Sequence, residues 1–383
     1  MNRRHFLKKA SWGSFCGAVT VAIASNDEGW HPPTRFIRPD ISTDEGGLWA
    51  MLDREETKLR RSPFIIRDES LQSYVTGIAC RLAGDHCPDI RVRLVRNKLF
   101  NANMTPNGML QVWSGLLLRI DNEAQLAAVL GHEIAHYFEK HGVDRLRDLK
   151  ARSAFGHLLG MFGLVGLVGQ VAALASMFAY SRDQERQADR IGLTLMSKAG
   201  YDPAEASKVW ENLLVEANAK TDANTSPMFA MHPPMNERKE ALTHLAAQLP
   251  KGEIYEQRWQ EKTANYRCEW LDDEIKRGQF EESIALLSRL IVRSPSQSDF
   301  FYARAETYRM RAKDEDFDTA INDYMAAIRL GDEPPETHRG LGMIYRQRNQ
   351  FQEAKVCFEK YLKLAPQAAD YSIIKSYSEE PSA

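Results

Sequence analysis

The sequence predicts a mainly α-helical (α+β) protein, in which a helical domain with a small β-hairpin or sheet is followed by an α-solenoid. Apolar residues recur with the helical period along much of the chain, whereas residues 90–94 alternate apolar and basic side chains, as a half-buried strand does. In the last third, a helix-pair pattern returns about every 34 residues, which is typical of a repeat array. A chain of 383 residues should form two or three domains, at about 150 residues per domain.

Composition places the chain among globular proteins, because 43% of its residues are hydrophobic and 27% are charged. The formal net charge is only −2, so the chain has no excess of basic residues for a phosphate backbone. We therefore expect no nucleic-acid partner.

The first 24 residues have the pattern of a signal peptide. MNRRHFLKKA supplies four basic residues, the apolar run after it is too short to cross a bilayer, and Ala22-Ile23-Ala24 forms a small-residue cleavage site. The paired arginines before Phe6 and Leu7 are typical of a twin-arginine signal, and a general secretory signal is the alternative. Cleavage would remove four basic and no acidic residues, taking the formal charge from −2 to −6. The pattern predicts export to the periplasm.

Four cysteines remain after the predicted cleavage site, at Cys80, Cys87, Cys268 and Cys357. Four cysteines allow three pairings in an oxidising compartment, and the sequence does not choose between them. A helix ending near Gly84 would fold Cys87 back towards Cys80, which favours that pair. We expect Cys268 and Cys357 to be buried as small hydrophobic residues.

The predicted organisation begins with an extended lead-in at residues 25–44, which carries prolines and glycines without a period. The first domain is expected at residues 45–250, with helices at 48–60 and 69–83. The strand at 90–94 and a second strand after the turn Thr105–Gly108 should form a hairpin. The helix that follows is expected to begin at the N-cap Asp121 and to stop at Gly142.

The repeats are predicted at residues 265–383. In the segment HRGLGMIYRQRNQFQEAKVCFEKYLKLAP, small and large residues have the spacings of a tetratricopeptide repeat: Leu341, Gly342, Tyr345, Ala354, Phe358 and Pro366. Equivalent residues recur at Ala320 and Tyr324, and at Ser283 and Leu287. A final helix at 370–379 would close the array, whose curved surface would bind a protein partner or peptide. A helical bundle without repeats is the alternative.

The segment GHEIAHYFEKHG, residues 131–142, contains the pattern HExxH. His132 and His136 lie four residues apart, so their rings project from one face of a helix and can reach a single zinc ion. Zinc lowers the pKa of bound water from about 15.7 towards about 7, which makes the adjacent Glu133 a competent general base. A polar helix that is merely rich in histidine is the alternative. His141 is expected on a different face, as a polar residue near the helix end.

A third ligand is available in SRDQERQADRIG, residues 181–192. Ser181 and Gln184 form a capping box that begins a helix. Four residues share one face of that helix: Glu185, Ala188, Asp189 and Gly192. The small residues would let it approach the HExxH helix closely, with Glu185 as third ligand and Asp189 holding the far nitrogen of a ligating histidine. A solvated acidic face is the alternative.

Taken together, HEIAH, ERQAD and MHPPMNERK (residues 231–239) resemble the HtpX-like and CAAX-prenyl-protease-like family of gluzincin metallopeptidases. The resemblance covers roughly residues 45–245 and implies a zincin-type helical peptidase domain with one zinc ion per chain. It implies the metal ligands and the general base already named, which are His132, His136, Glu185 and Glu133. It also implies that His232 lies near the metal, where it assists the transition state or takes the fourth coordination position.

The segment FNANMTP, residues 100–106, resembles the family's edge strand, which pairs with the substrate backbone. Asn103 stands where relatives usually carry a more apolar residue. The family, the export signal and the repeats together are similar to periplasmic peptidases whose repeats engage outer-membrane assembly machinery or its clients.

This resemblance implies an exported zinc endopeptidase that hydrolyses envelope proteins, in the quality control or assembly of outer-membrane proteins. Its partners would be protein or peptide substrates and a protein bound by the repeats. The alternative is a periplasmic chaperone or binding scaffold with a latent metal site.

The apolar segment 155–180 is long enough to span a bilayer, at about 39 Å as one helix. It lies between His136 and Glu185, so a single crossing would place ligands of one zinc ion on opposite sides of the membrane. We expect a buried or surface-dipping helical hairpin over the cleft, and a peripheral membrane contact is the alternative.

Overall fold

The computed structural model describes residues 30–151, 180–219 and 235–380. The predicted signal peptide, nearly all of the apolar segment 155–180 and His232 lie outside the described residues. The described residues from Thr34 onward form one structural unit. Within the three described ranges, no helix combines the length and the apolar character that crossing a membrane requires.

Two helices precede the sheet, as predicted: α1 (Asp44–Arg61) and α2 (Glu69–Ala83). Each begins at a side-chain N-cap, because Thr43 accepts a hydrogen bond from the Gly46 N–H and Asp68 accepts one from the Leu71 N–H. The caps satisfy amides that have no partner inside the helix.

A disulfide bond joins Cys80 of α2 to Cys87 in the 3₁₀ turn Gly84–Asp89 that follows. The favoured pairing is therefore confirmed. Cys357 is buried as expected, whereas Cys268 is exposed, so that part of the expectation is wrong. Cys268 and its neighbour Glu269 are exposed on their helix, whereas Thr263 and Trp270 are buried, and helical periodicity alone did not identify the exposed face.

A three-stranded sheet follows, formed by β1 (Arg91–Val95), β2 (Ala102–Met104) and β3 (Met109–Trp113) in the order β1-β3-β2. The hairpin joins β2 to β3, which run antiparallel around Thr105–Gly108. The strand predicted at 90–94 instead lies parallel to β3 on its other side. This order leaves β2 at the edge of the sheet.

The HExxH helix starts and stops differently from the prediction. After α3 (Ser114–Arg119), helix α4 (Glu123–Phe138) begins at the N-cap Asn122, whose side chain accepts from the Gln125 N–H. Asp121 does not cap it, because its carboxylate accepts from Asn212 and Gln125 side chains.

Gly142 does not stop this helix. The chain reverses at Lys140, which has a φ of 53°, and α5 (His141–Ala151) begins immediately afterwards. Gly142 lies in the first turn of α5, where a Cβ atom would come within 2.9 Å of Pro106. Glycine therefore permits α5 to approach the β2–β3 turn.

In the described residues between 180 and 246, the chain forms the helices α6 (Arg182–Lys198), α7 (Glu205–Asn218) and α8 (Met235–Ala246). The capping box predicted from Ser181 and Gln184 is present at the start of α6. Helix α9 (Glu256–Ile275) follows and contacts the N-terminal end of α4, where Arg258 donates to Glu123 at 2.7 and 2.6 Å.

The remaining helices form the repeats: α10 (Phe280–Arg293), α11 (Ser298–Arg311), α12 (Asp316–Leu330), α13 (Glu336–Gln347), α14 (Phe351–Leu364) and α15 (Tyr371–Ser378). Neighbouring helices pack in sequence order. The residues at the predicted repeat positions are buried: Ser283, Leu287, Ala320, Tyr324, Ala354 and Phe358. Ile374 of the last helix packs on Phe358 and Tyr361. The predicted fold class is confirmed, while the boundary between the two domains remains a prediction because α9 crosses it.

Helices α4 and α6 cross at a pair of glycines. A Cβ atom on Gly192 would lie 3.0 Å from the His132 amide nitrogen and 3.2 Å from the Gly131 carbonyl carbon. A Cβ atom on Gly131 would lie 3.2 Å from the Gly192 carbonyl oxygen. The close approach predicted from Ala188 and Gly192 is therefore confirmed.

We expect Gly192→Ala to destabilise the protein, because the new methyl group meets helix backbone that cannot move independently. Overpacking costs about 1–3 kcal/mol, which exceeds the ~0.5–1 kcal/mol that alanine contributes over glycine in a helix. Urea unfolding measures the difference. Gly77→Ala in α2 is the matched control, since a Cβ atom there meets nothing within 4 Å and should leave stability equal or higher. An unchanged unfolding free energy for Gly192→Ala would contradict the tight crossing.

Candidate metal centre

Two histidines of α4 and one glutamate of α6 converge in the interior. The Nε2 atoms of His132 and His136 are 3.1 Å apart, and each lies 3.5 Å from a carboxylate oxygen of Glu185. All three residues are buried. Two ligand atoms at 2.0–2.1 Å from a tetrahedral ion are about 3.3 Å apart, so these donors suit one metal ion.

The positions of these donors follow from local structure. His132 and His136 occupy successive turns of α4, with ring centroids 4.6 Å apart, because a spacing of four residues returns to the same helix face. Glu185 reaches them because Gly131 and Gly192 bring α6 close to α4. The structure thus brings together the three ligands predicted from the sequence.

Asp189 lies where the sequence predicted it, one turn after Glu185, with its Oδ1 atom 3.0 Å from Nδ1 of His132. A proton on Nδ1 donated to this carboxylate leaves Nε2 of His132 available to a metal. Helix α8 supplies a residue that sequence reasoning missed. Arg238 donates from Nε to Asp189 at 2.8 Å, and its Nη1 lies 3.2 Å from Glu185.

Arg238 is buried, and its guanidinium lies 3.9 Å from the Trp210 ring centroid. It belongs to the quoted segment MHPPMNERK, but one arginine in a polar segment carries no sign of burial. The available signal was the unbalanced charge of two predicted buried carboxylates, Glu185 and Asp189, which requires a cation nearby.

His141 was placed wrongly by the sequence prediction. It is buried, and its Nδ1 atom lies 2.9 Å from Nδ1 of His136. The prediction assumed that α4 continues past residue 138, whereas the reversal at Lys140 turns His141 back towards the metal centre. Tyr180, which the sequence did not single out, stacks on the His136 ring with centroids 3.7 Å apart.

Glu133 is buried beside the edge strand. Its Oε2 atom accepts a hydrogen bond of 3.1 Å from the Met104 N–H of β2. The neighbouring Thr105 N–H bonds to Met109 of β3, so the Met104 amide faces away from the sheet. Asn103 pairs with Gln111 across β2 and β3 and stays partly exposed. The carboxylate of Glu133 therefore contacts the outer side of β2, while its residue directly follows the candidate ligand His132 on α4.

Burial and neighbouring charges shift the pKa values of three side chains of the centre, His132, Asp189 and His141. Burial and the Arg238 charge lower the pKa of His132, but its hydrogen bonds to Asp189 and Glu185 and the Glu185 charge raise it to about 9. Burial raises the pKa of Asp189, but Arg238 and His132 hold it below its ordinary value. Burial lowers the pKa of His141. Asp189 is therefore ionised and the His141 ring neutral at physiological pH.

Residues 66–246 match the model of peptidase family M48, and residues 335–368 match the tetratricopeptide repeat. The first of these segments contains every residue of the centre described above. Residues 66–246 are a peptidase family M48 domain. This agrees with the family predicted from HEIAH, ERQAD and MHPPMNERK, and the repeat match agrees with the predicted architecture.

The M48 domain and its flanks resemble several named proteins. The putative beta-barrel assembly-enhancing protease of Vibrio cholerae is 28% identical over 251 residues, which cover 60% of this chain and 50% of that protein. The beta-barrel assembly-enhancing protease of Escherichia coli K12 is 28% identical over 202 residues, covering 47% and 41%. The mitochondrial metalloendopeptidase OMA1 of Saccharomyces cerevisiae is 33% identical over 175 residues, covering 43% and 48%. The chain spans about half the length of these relatives or less.

Protonation of His132 predicts how metal affinity depends on pH. Because the folded pKa of about 9 exceeds the ordinary 6.5, the proton stabilises the metal-free protein fully below pH 6.5, and this contribution is lost as pH rises towards 9. A metal must displace that proton, so zinc affinity should rise by up to about tenfold per pH unit across this interval.

Competition with a chromophoric chelator, corrected for the chelator's own protonation, measures this affinity. Asp189→Asn removes the hydrogen-bonding carboxylate that raises the His132 pKa, so its affinity should level off at a lower pH than that of the wild type. A wild-type affinity that does not vary between pH 6.5 and 9 would contradict the assignment of the proton to His132.

Proposed function

We propose that this chain is an exported zinc-dependent endopeptidase with one zinc ion per chain. The carrying observation is the buried group His132, His136 and Glu185 beside Glu133, which is the donor set of a catalytic zinc site together with a base. The M48 match over residues 66–246 supports the same reaction class.

The residues of the domain would have distinct roles in peptide hydrolysis. His132, His136 and Glu185 would hold the zinc ion, which when bound acts as a Lewis acid and acidifies water. Glu133 would take a proton from the attacking water and return it to the leaving amine. Asp189 would orient His132, with Arg238 balancing the acidic charge. His232 is proposed to lie near the metal, where it would assist the transition state or take the fourth position.

Strand β2 would bind the substrate. It is one of the two outer strands of the sheet and the one that contacts Glu133, and an extended peptide can add to such an edge through backbone hydrogen bonds. The bond from Met104 to Glu133 keeps the base within reach of a peptide on this edge. Asn103, partly exposed on β2, would contact the substrate's side chains.

We further propose that the substrates are envelope proteins, in the quality control or assembly of outer-membrane proteins. Two relatives are named beta-barrel assembly-enhancing proteases, which supports this class of substrate. Residues 1–24 would direct the chain to the periplasm by the twin-arginine route. The repeats would bind a client or partner protein, and residues 155–180 would cover the cleft or touch the membrane surface.

We expect Glu133→Gln to lower the rate of casein cleavage by about 10²–10⁴-fold, since it removes the general base. Zinc content should stay at one per chain, because His132, His136 and Glu185 are unchanged. Glu211→Gln is the matched control, as this exposed carboxylate of α7 pairs only with Lys239 in the described structure, and it should cleave like the wild type. A Glu133→Gln protein that holds zinc and cleaves at the wild-type rate would refute the mechanism.

The alternative function is a periplasmic chaperone or binding scaffold with a latent metal site. Comparison of the wild type with Glu133→Gln tests it as well. A scaffold would suppress aggregation of unfolded outer-membrane proteins equally well with Glu133 or Gln at this position, and its wild-type form would leave casein intact. We prefer the peptidase because Glu133 is held against the edge strand, a placement that a scaffold does not need.

A further inference from the structure

A chain of hydrogen-bonding side chains leads from the candidate metal centre to the protein's outer layer. Nδ1 of His136 lies 2.9 Å from Nδ1 of His141, whose Nε2 lies 3.3 Å from Oε1 of Gln187. Gln187 then donates from Nε2 to Oε2 of Glu139 at 2.6 Å. These residues come from α4, α5, α6 and the turn after α4.

The direction of every bond in this chain follows from the metal-facing nitrogen. Nε2 of His136 faces His132 and Glu185, so a metal takes Nε2 and the proton of the neutral ring sits on Nδ1. That N–H donates to His141, whose Nδ1 must be the unprotonated nitrogen. The proton of His141 is then on Nε2, where it donates to the carbonyl oxygen of Gln187. The Gln187 amide in turn donates to an acidic residue, Glu139.

We propose that His141 is a positioning residue for His136, and that Gln187 and Glu139 fix His141 in its acceptor form. This inference rests on the proposed zinc site. The two histidine ligands would be oriented differently. His132 would donate directly to the carboxylate of Asp189. His136 would donate to the neutral ring of His141, which is linked through Gln187 to the carboxylate of Glu139. Partners of this kind fix the tautomer and orientation of a metal-binding histidine.

The backbone places His141 for this role. Lys140 adopts a left-handed conformation, its ammonium pairs with Glu45 at 3.0 Å, and Gly142 lies against Pro106. Contacts on both sides of residue 141 therefore hold the turn between α4 and α5. The His141 side chain is 3% exposed, which keeps water from replacing it as the acceptor.

Zinc affinity of the full-length protein, measured by chelator competition, tests this role without relying on activity. His141→Leu removes the acceptor, so the zinc dissociation constant should rise by about 10–100-fold. His141→Gln restores an acceptor oxygen and should recover most of the affinity. Gln187→Leu, at a half-buried position, removes only the next link and should cause a smaller rise.

His86→Leu is the matched control. His86 is also a buried histidine, and it packs against Tyr137 and Phe138 on α4 rather than against the ligands. Its substitution should leave the zinc dissociation constant at the wild-type value. A proton NMR signal from a slowly exchanging His136 Nδ1–H should be present in the zinc-loaded wild type and His141→Gln proteins and absent from His141→Leu.

Three results would overturn the inference. Wild-type zinc affinity in His141→Leu would show that no acceptor is needed. Equal weakening in His141→Leu and His141→Gln would show that packing, and not hydrogen bonding, explains the loss. If His141→Leu does not fold, the other two variants replace it in this test. In that case, wild-type zinc affinity in Gln187→Leu, together with complete loss of zinc affinity in His141→Gln, would show that packing and not hydrogen bonding explains the role of His141. Failure of the wild type to bind zinc would instead refute the proposed metal site itself.

Discussion

The backbone contact between Gly131 and Gly192 is the constraint on which the centre depends. Two helices normally pack with axes 8–10 Å apart, held apart by side chains. Here a Cβ atom on either glycine would meet the other helix's backbone at 3.0–3.2 Å, so the helices touch through backbone atoms. Glu185 is therefore carried to within 3.5 Å of both His132 and His136. A larger residue at the crossing would separate the donors even though each remained correctly placed on its own helix.

Close packing of acidic residues creates an electrostatic cost that other parts of the fold offset. Three carboxylates, Glu133, Glu185 and Asp189, are buried together, and unpaired buried charge is strongly unfavourable. Arg238 from α8 reaches two of them and stacks on Trp210 of α7, while Glu133 accepts a backbone N–H from β2. Five separate elements, α4, α6, α7, α8 and β2, thus contribute to one centre, so its assembly depends on the packing of the whole domain.

Much of the local structure could be predicted from the sequence because its causes are local. The helix at 69–83, the capping box at Ser181 and the recurrence of Ala320 and Ala354 depend on short-range geometry and period. Predictions that relied on a helix continuing were wrong, as at Gly142 and His141, because a left-handed residue at Lys140 ends α4 earlier. Strand order was also beyond reach, since the period of residues 90–94 is the same for a parallel neighbour as for a hairpin.

The sequence by itself determined which residues can share a helix face: His132 with His136, and Glu185 with Asp189. Helical periodicity is sufficient for such pairs. The family was indicated separately, by the resemblance of HEIAH, ERQAD and MHPPMNERK to gluzincin metallopeptidases, and the M48 match agrees with it. Only the tertiary structure decided that the Met104 N–H of β2 donates to Glu133, that Arg238 lies between two carboxylates, and that the ring of His141 lies beside that of His136. These contacts join residues on different elements, whose meeting depends on turns and helix crossings that no local pattern encodes.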